Sequence, residues 1–164
     1  MKTDIEQTPD SGLETREFVC RTPEETFELG EKIGESLTGG EVILLSGGLG
    51  AGKTLLTKGI LYALRFDVDE VTSPSFTLVN LYKTENRDVY HIDLWRIDET
   101  GDAAFAVGLD EILEDERAIV IIEWAERLKN FTFPAKTIRV KIEGDGDETR
   151  KIKIEYGNAV SDQK

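Results

Sequence analysis

The sequence predicts a three-layer α/β sandwich in which a mixed central sheet carries an antiparallel hairpin at its C-terminal end. Three observations lead to this prediction. A glycine-rich loop follows the apolar run 41–46 and precedes a helical segment, 55–64. The apolar run 118–123 is typical of a strand that is buried on both faces. Two alternating segments, 137–143 and 151–156, flank a turn that begins Gly-Asp-Gly-Asp, which is a strong hairpin signal.

The glycine-rich loop has the complete G-x-x-x-x-G-K-T pattern of a phosphate-binding loop, and it runs from Gly47 to Thr54. In this arrangement backbone N–H groups wrap a phosphate, and the N-terminus of the following helix adds a favourable dipole. Lys53 is expected to reach the β- and γ-phosphates of a nucleotide, and the Thr54 hydroxyl to bind Mg²⁺. The strand, loop and helix together predict a P-loop NTPase-like fold.

Composition and charge limit the classes of function. The chain has 164 residues, of which 39% are hydrophobic and 32% charged, so one globular domain is expected. Its net charge of −13 argues against binding nucleic acid over a broad surface without a partner. No stretch approaches the length of a membrane span and the N-terminus lacks an apolar signal core, so a cytoplasmic location is expected. Cys20 is the only cysteine, which excludes an internal disulfide.

The chain is expected to begin with a disordered acidic tail over residues 1–16, because this segment is polar and lacks periodicity. The P-loop domain then spans residues 17–157, and residues 158–164 form a flexible C-terminal tail. At the start of the domain, residues 17–21 alternate as a short strand. Thr22 is the expected cap of a helix that has Pro23 at its first position and ends before Gly39.

The second half of the domain is expected to supply the remaining strands. Residues 76–83 and 89–94 are predicted as two strands joined by a turn. The acidic segment 98–116 contains two glycines and is expected to form two short helices. In the hairpin, apolar side chains alternate with basic ones. The basic side is expected to be solvated, with contact to RNA or a protein partner as the alternative.

Two apolar strands end in a carboxylate, Asp93 and Glu123. Because functional side chains gather at the carboxyl ends of parallel strands, both are expected to point toward the phosphates if their strands flank the phosphate-loop strand. The alternative is that one of them only caps a following turn. One would hold Mg²⁺ directly or through water, and the other could orient the attacking water; the sequence does not decide which. His91 is expected on the same strand face as Asp93, more as a hydrogen-bonded packing residue than as a catalyst. Trp124 is either core or a wall of the nucleotide pocket.

The segment 71–77 has four hydroxyl side chains and follows the first nucleotide-binding helix. In phosphate-loop switches a segment at this position senses the γ-phosphate through a hydroxyl and moves upon hydrolysis. The alternative is a plain Ser-Pro turn between a helix and a strand. If the segment is a switch, its protection from hydrogen exchange should depend on the nucleotide bound.

Five motifs occur in an order that resembles the TsaE (YjeE) family of bacterial ATPases. They are the phosphate loop, Thr72 to Val79, His91 to Arg96, Gly108 to Glu111, and Ile122 to Arg127. The resemblance covers about residues 20–156. It implies an ATPase that binds the TsaB–TsaD pair and assists formation of N6-threonylcarbamoyladenosine beside the tRNA anticodon. Direct contact with tRNA is left open.

The resemblance also assigns residues to roles. Lys53, Asp93 and Glu123 are implied as the catalytic residues. Thr54, Asp93 and Glu123 are implied as Mg²⁺ ligands. ATP or ADP is expected to contact Gly48, Leu49, Gly50, Ala51, Gly52, Lys53, Thr54, Thr77 and Trp124. Gly48 stands where the family usually has Asp or Glu, which puts any polar role at that position in doubt.

Two other functions are compatible with a phosphate loop. A small-molecule kinase usually needs an arginine-bearing lid, and the only candidate segment, 98–116, contains no arginine. A GTPase needs a guanine-reading N-K-x-D motif, and no Asn-Lys pair occurs in the chain. The ATPase is therefore the leading prediction and the kinase is the alternative.

Overall fold

The computed structural model describes residues 14–74, 76–98, 100–133, 136–145 and 148–157. Within these ranges the chain forms one mixed sheet of seven strands with helices on both faces. The predicted α/β sandwich with a P-loop NTPase-like sheet and a C-terminal hairpin is confirmed. None of the helices in the described ranges has the length and apolar character needed to cross a membrane.

The bounds of the elements follow the sequence pattern. The strands are β1 (Glu14–Cys20), β2 (Val42–Gly47), β3 (Val79–Lys83), β4 (Asp88–Asp93), β5 (Ile119–Glu123), β6 (Thr137–Glu143) and β7 (Arg150–Tyr156). The α-helices are α1 (Pro23–Ser36), α2 (Lys53–Ala63), α3 (Ala103–Val107) and α4 (Leu109–Ile112), and 3₁₀ turns cover Val68–Glu70 and Ala125–Arg127.

The strand order is β1-β7-β6-β2-β5-β4-β3. The four central strands β6, β2, β5 and β4 are parallel, and the antiparallel pairs lie at both ends of the sheet. Strand β2, which leads into the phosphate loop, therefore lies in the middle, paired with β5 and β6 and with both of its faces buried in apolar clusters. This position explains why residues 42–45 are apolar without alternation.

Helices α1 and α2 cover one face of the sheet and cross at a line of glycines. A Cβ atom at Gly30 would lie 2.3 Å from the backbone oxygen of Leu56, and one at Gly59 would lie 2.1 Å from that of Phe27. No larger residue fits at either position, so the glycines set the distance between the helices. Thr22 caps α1 as predicted, since its hydroxyl accepts the N–H of Glu25 at 3.2 Å.

The other face of the sheet is covered over β2, β5 and β4 by the two short helices of the predicted acidic segment. Ala103 and Leu109 are buried there against Ile92, Leu94 and Ile122. Each face of the sheet thus has its own apolar cluster, which accounts for the fully buried strand β5.

Several boundaries differ from the sequence prediction. Strand β1 begins at Glu14, because it pairs with β7 along its whole length, so three residues of the predicted tail 1–16 belong to the sheet. Strand β3 begins at Val79 and not at residue 76, since Leu78 has a left-handed backbone that ends the ladder. Residues 1–13 and 158–164 of the predicted tails lie outside the described residues. Cys20 is buried in β1, and burial raises the pKa of its thiol.

We expect the Gly59→Ala substitution to lower the free energy of unfolding by about 1–3 kcal/mol, the usual cost of overpacking. The added methyl must displace the backbone of α1, because its nearest neighbour is a carbonyl oxygen and not a flexible side chain. Urea denaturation measures the effect. The control is Gly48→Ala, where a Cβ meets nothing within 4 Å. Equal stability of the two variants would contradict the close helix crossing.

Candidate functional site

The phosphate loop opens into a cleft at the carboxyl ends of the central strands. Its glycines Gly47, Gly50 and Gly52 have φ angles of 153°, 77° and 110°, and the latter two lie in the left-handed region that residues with a Cβ rarely adopt. The cleft has a volume of about 510 Å³. It is lined by Leu49, Gly50, Ala51, Gly52, Lys53, Thr54, Leu55, Ser73, Asp93, Trp95, Arg96, Glu123 and Trp124.

Lys53 begins helix α2 and turns its ammonium back onto the loop. Its Nζ donates to the carbonyl oxygens of Gly47 and Gly48, each at 2.8 Å. The Nζ also lies 4.3 Å from the ring centre of Trp124. Burial lowers the pKa of Lys53, and the carboxylates of Glu123, Glu126 and Asp93 act in the opposite direction. The loop thus holds a largely dehydrated cation at the position where a phosphate-binding loop needs one.

Glu123 is the last residue of β5, and its side chain contacts Thr54. Its Oε1 accepts the Thr54 hydroxyl at 3.3 Å, and its Oε2 lies 2.9 Å from His91 Nε2. Glu123 is 2% exposed. The expectation that His91 is a hydrogen-bonded packing residue agrees with this contact, and its partner is the predicted catalytic carboxylate.

Asp93 ends strand β4, and Glu123 is its direct partner in the parallel pair β4–β5. Glu123 in turn pairs with Leu45 on β2, so Asp93 lies two strands from the phosphate-loop strand and not next to it. Asp93 Oδ2 accepts the Ser73 hydroxyl at 3.1 Å, and Oδ1 accepts the backbone N–H of Trp95 at 2.9 Å. Strands in a sheet are about 4.8 Å apart, so the register brings both carboxylates to one wall of the cleft.

Trp124 follows Glu123 with a left-handed backbone, φ 58°, which is unusual for a residue with a large side chain. This turn directs its ring into the cleft, where the ring stacks on Trp95 with 4.3 Å between the centres. Trp124 lines the cleft and also packs against the second apolar cluster, so its position agrees with both interpretations. The cleft therefore has an aromatic side opposite the glycine loop.

Two predicted contacts, Thr77 and Gly48, do not line the cleft. Thr77 is exposed and donates to Asn80 Oδ1 at 3.0 Å, because Leu78 turns the chain away at the start of β3. Ser73 supplies a hydroxyl to the cleft instead. Gly48 contributes to the loop through its carbonyl oxygen, which accepts a hydrogen bond from Lys53 Nζ. Ser75, in the same segment, lies outside the described residues.

Two arginines near the cleft were not identified from the sequence. Arg150, the first residue of β7, donates from Nε to Ala51 O at 2.8 Å and from Nη2 to Gly50 O at 3.2 Å. Arg96 lines the cleft, and its guanidinium lies 4.3 Å from the ring centre of Phe76. Arg150 is a hundred residues from the loop that it braces, so no local pattern signals this contact. Arg96 follows the H-x-D motif and was detectable as part of it.

The basic side of the hairpin lies on the other face of the sheet, beside a cavity of about 410 Å³. Two of its lysines are paired locally, Lys141 with Glu143 and Lys153 with Glu155, each at 3.2 Å. Exposed pairs of this kind contribute little energy. The charge pattern agrees with a solvated face.

A central parallel sheet, a glycine loop that precedes a helix, and two carboxylates at neighbouring strand ends define an α/β protein of the P-loop NTPase-like class. The family profile described as threonylcarbamoyl adenosine biosynthesis protein TsaE matches residues 20–152. The chain therefore belongs to the TsaE family, and the predicted membership is confirmed. This family takes part in threonylcarbamoyladenosine biosynthesis on tRNA.

Individual relatives support the same assignment. The tRNA threonylcarbamoyladenosine biosynthesis protein TsaE of Aquifex aeolicus is 37% identical over 140 residues, which cover 85% of this chain and 95% of that protein. The Nostoc protein of the same name is 42% identical over 64% of this chain and 65% of its own length. The crystal structure of Bacillus subtilis YdiB has a TM-score of 0.69 at 27% identity and covers 89% of this chain and 88% of that one.

We expect the Arg150→Ala substitution to increase amide hydrogen exchange in residues 48–54 by at least about tenfold, because the two carbonyls of the loop lose their brace. Protection from hydrogen exchange in β2 and β5 should not change. The matched control is Arg139→Ala, which removes an exposed arginine from the neighbouring strand β6. If the loop exchanges equally in both variants, Arg150 does not hold it.

Proposed function

We propose that this protein binds and hydrolyses ATP with Mg²⁺, and that it does so as an accessory subunit of the TsaB–TsaD pair in tRNA threonylcarbamoylation in the cytoplasm. The observation that carries the proposal is the meeting of Lys53, Thr54 and two carboxylates in one cleft. Family membership links the cleft to tRNA modification. The geometry of the cleft supports the proposal that it binds a nucleotide.

The residues of the cleft fit a nucleotide phosphate chain. A glycine loop with left-handed φ angles at Gly50 and Gly52 lets backbone N–H groups approach an anion closely. Lys53 carries three N–H donors, of which two are used on the loop's own carbonyls. An anion that enters the loop therefore meets a buried ammonium. The charge of a phosphate compensates a cation whose burial is costly.

The cleft also fits Mg²⁺, which prefers oxygen ligands and is usually held by one or two carboxylates together with substrate phosphates. Thr54 donates its proton to Glu123, so the lone pairs of its oxygen remain for a cation. Asp93 and Glu123 supply carboxylate oxygens beside it. When bound, Mg²⁺ neutralises the charge that develops on the β- and γ-phosphates.

The protein's own groups have separable tasks in hydrolysis. Lys53 and the loop N–H groups hold the phosphates and stabilise negative charge. Thr54 and the two carboxylates hold the cation, directly or through water. The carboxylate that does not contact the cation orients the attacking water. Trp124 and Trp95 form an apolar wall that limits access of other water molecules.

The kinase alternative receives less support from the fold. The acidic segment that was its only candidate lid forms α3 and α4, whose Ala103 and Leu109 are buried in the second apolar cluster. The residues that line the cleft come from other segments of the described chain. The two buried side chains anchor this segment to the sheet, which opposes its closing over a substrate.

Large apolar side chains around the mouth of the cleft support a protein partner. Leu49, Phe76 and Trp95 are 71%, 82% and 40% exposed. Leu49 and Trp95 line the cleft, and Phe76 stacks with the cleft residue Arg96. Exposed apolar residues that cluster in this way mark interaction surfaces. A partner that docks here would also exclude water from the phosphates.

We expect the Lys53→Ala substitution to abolish measurable ATP binding, because it removes the buried cation of the loop. Isothermal titration of the full chain with a non-hydrolysable ATP analogue and Mg²⁺ measures this. The control is Lys58→Ala, a lysine of the same helix that does not line the cleft. Unchanged affinity of the Lys53 variant would show that the loop does not bind nucleotide.

The isosteric substitutions Asp93→Asn and Glu123→Gln should each lower the rate of ATP hydrolysis by at least about tenfold, which corresponds to about 1.4 kcal/mol. Nucleotide affinity should change less, because placement of the cation and water matters most in the transition state. A phosphate-release assay beside a binding titration separates the two effects. Parent-like rates in both variants would exclude a catalytic role for either carboxylate.

Hydrolysis by the isolated chain should be slow, and its rate should increase at least about tenfold when TsaB and TsaD are added. The reason is that docking completes the wall of the cleft and excludes water from it. Phosphate release measured with TsaB alone, TsaD alone and both together tests this expectation. The Leu49→Ser variant, altered at the exposed rim, should need more TsaB–TsaD for the same rate. Full activity without partners would contradict partner dependence.

A further inference from the structure

A buried polar chain leads from the cleft to the 72–77 loop. It runs from Glu123 to His91, from His91 to Tyr82, and from Tyr82 to the backbone of Thr72. His91 is fully buried and Tyr82 is 6% exposed. We propose that His91 and Tyr82 are positioning residues: His91 fixes the Glu123 carboxylate, and Tyr82 couples that carboxylate to the 72–77 loop. This inference rests on the proposed ATPase function.

His91 and Thr54 contact different oxygen atoms of the Glu123 carboxylate. Thr54 lies 3.3 Å from Oε1, and His91 Nε2 lies 2.9 Å from Oε2. A carboxylate only accepts, so Nε2 carries the proton of this hydrogen bond. With one oxygen fixed from each side, the carboxylate cannot rotate about its terminal bond. Groups in this outer position orient the residues that bind a cation, and their loss commonly reduces affinity or activity by 10–100-fold.

Tyr82 connects the same histidine to the loop through a hydroxyl that faces two acceptors. Its Oη lies 3.0 Å from Thr72 O and 3.4 Å from His91 Nδ1. A hydroxyl has one proton, so donation to one acceptor is at the expense of the other. In this structure the shorter contact is to Thr72, and it holds the beginning of the loop. Donation to His91 would remove one of the two side-chain hydrogen bonds on Thr72 O, leaving the one from Asn80, and would fix the imidazole ring more firmly.

Asn80 links the two ends of the 72–77 loop to each other. Its Nδ2 donates to Thr72 O and to Tyr82 Oη, each at 3.2 Å, and its Oδ1 accepts the Thr77 hydroxyl at 3.0 Å. Both ends of the loop are thereby tied to strand β3. Ser73, between them, donates to Asp93 at 3.1 Å. The loop is bonded directly to one carboxylate of the cleft and through Tyr82 and His91 to the other.

The Tyr82 hydroxyl has two alternative partners within reach, Thr72 O and His91 Nδ1, and these correspond to the two discrete states that a conformational coupling requires. A ligand that draws Ser73 away from Asp93 shifts Thr72, and the Tyr82 hydroxyl then turns to His91. Conversely, a fixed Glu123–His91 pair favours one position of the hydroxyl and hence one loop conformation. The proposal differs from a packing role, because packing depends on the rings of His91 and Tyr82 and not on their polar atoms.

The experiment separates polar contacts from packing. Tyr82→Phe keeps the ring, whose centre lies 4.8 Å from that of Phe66, and removes only the hydroxyl. His91→Gln keeps a donor near Oε2, whereas His91→Leu removes it. Tyr90→Phe, on strand β4, is the matched control. All four full-length variants are compared with the parent for thermal unfolding, for Mg·ATP hydrolysis with TsaB and TsaD, and for hydrogen exchange.

For His91→Leu we expect kcat to fall at least tenfold while KM for Mg·ATP changes less than threefold, and we expect His91→Gln to recover at least a third of the parent kcat. For Tyr82→Phe we expect amides of residues 71–74 and 76–78 to exchange at least fivefold faster in the nucleotide-free protein. Their difference between the ADP-bound and ATP-analogue-bound states should disappear. Tyr90→Phe should match the parent in each measurement.

Each contrary outcome has a distinct meaning. Parent-like kcat in His91→Leu overturns the positioning role, and so does equal loss in His91→Leu and His91→Gln. Unchanged loop exchange in Tyr82→Phe overturns the coupling, and this measurement requires no nucleotide and no folded His91 variant. A parent protein that neither binds nor hydrolyses Mg·ATP would overturn the proposed function as well. An active parent with unaffected variants would overturn the inference alone.

Discussion

The pairing of strands β2, β5 and β4 in one parallel register is the constraint on which the candidate site depends. Leu45 is opposite Glu123, and Glu123 is opposite Asp93. Because parallel strands all end at the same edge, this register brings the phosphate loop and both carboxylates to one side of the sheet. A slip of one residue would turn the carboxylates to the other face, away from α2. The buried apolar faces prevent such a slip, since it would also exchange the two hydrophobic clusters.

Close packing of α1 on α2 fixes the remaining wall of the cleft. The glycine contacts between the helices leave no room for α2 to move closer to α1. Since α2 begins at Lys53, its position also decides where the ammonium and the Thr54 hydroxyl lie. Stability in the first helical layer and geometry in the cleft are therefore consequences of the same packing.

The phosphate loop is held by its own lysine and by an arginine from a distant strand. Arg150 binds two of its carbonyl oxygens from β7, and the Lys53 ammonium binds two more from α2. Trp124 stacks against the lysine from the turn after β5. Left-handed glycines permit this shape, and the surrounding strands select it. The hairpin thus has a structural task at the site, since its first β7 residue holds two carbonyl oxygens of the loop.

The sequence by itself determined the class of fold, the phosphate loop, the two strand-end carboxylates and the family, because these depend on local patterns and on motifs in a fixed order. It also left the pocket wall as one of two positions for Trp124 and predicted that His91 is hydrogen-bonded. Only the tertiary structure decided that Glu123 is the partner of His91 and that Ser73, not Thr77, reaches the cleft. It also decided that Asp93 lies two strands from the phosphate-loop strand and that Arg150 binds the phosphate loop. Those contacts join residues that are far apart in the chain, or they depend on a single backbone angle such as that of Leu78. Strand order and register are set by the burial of whole faces, and no local stretch of sequence contains that information.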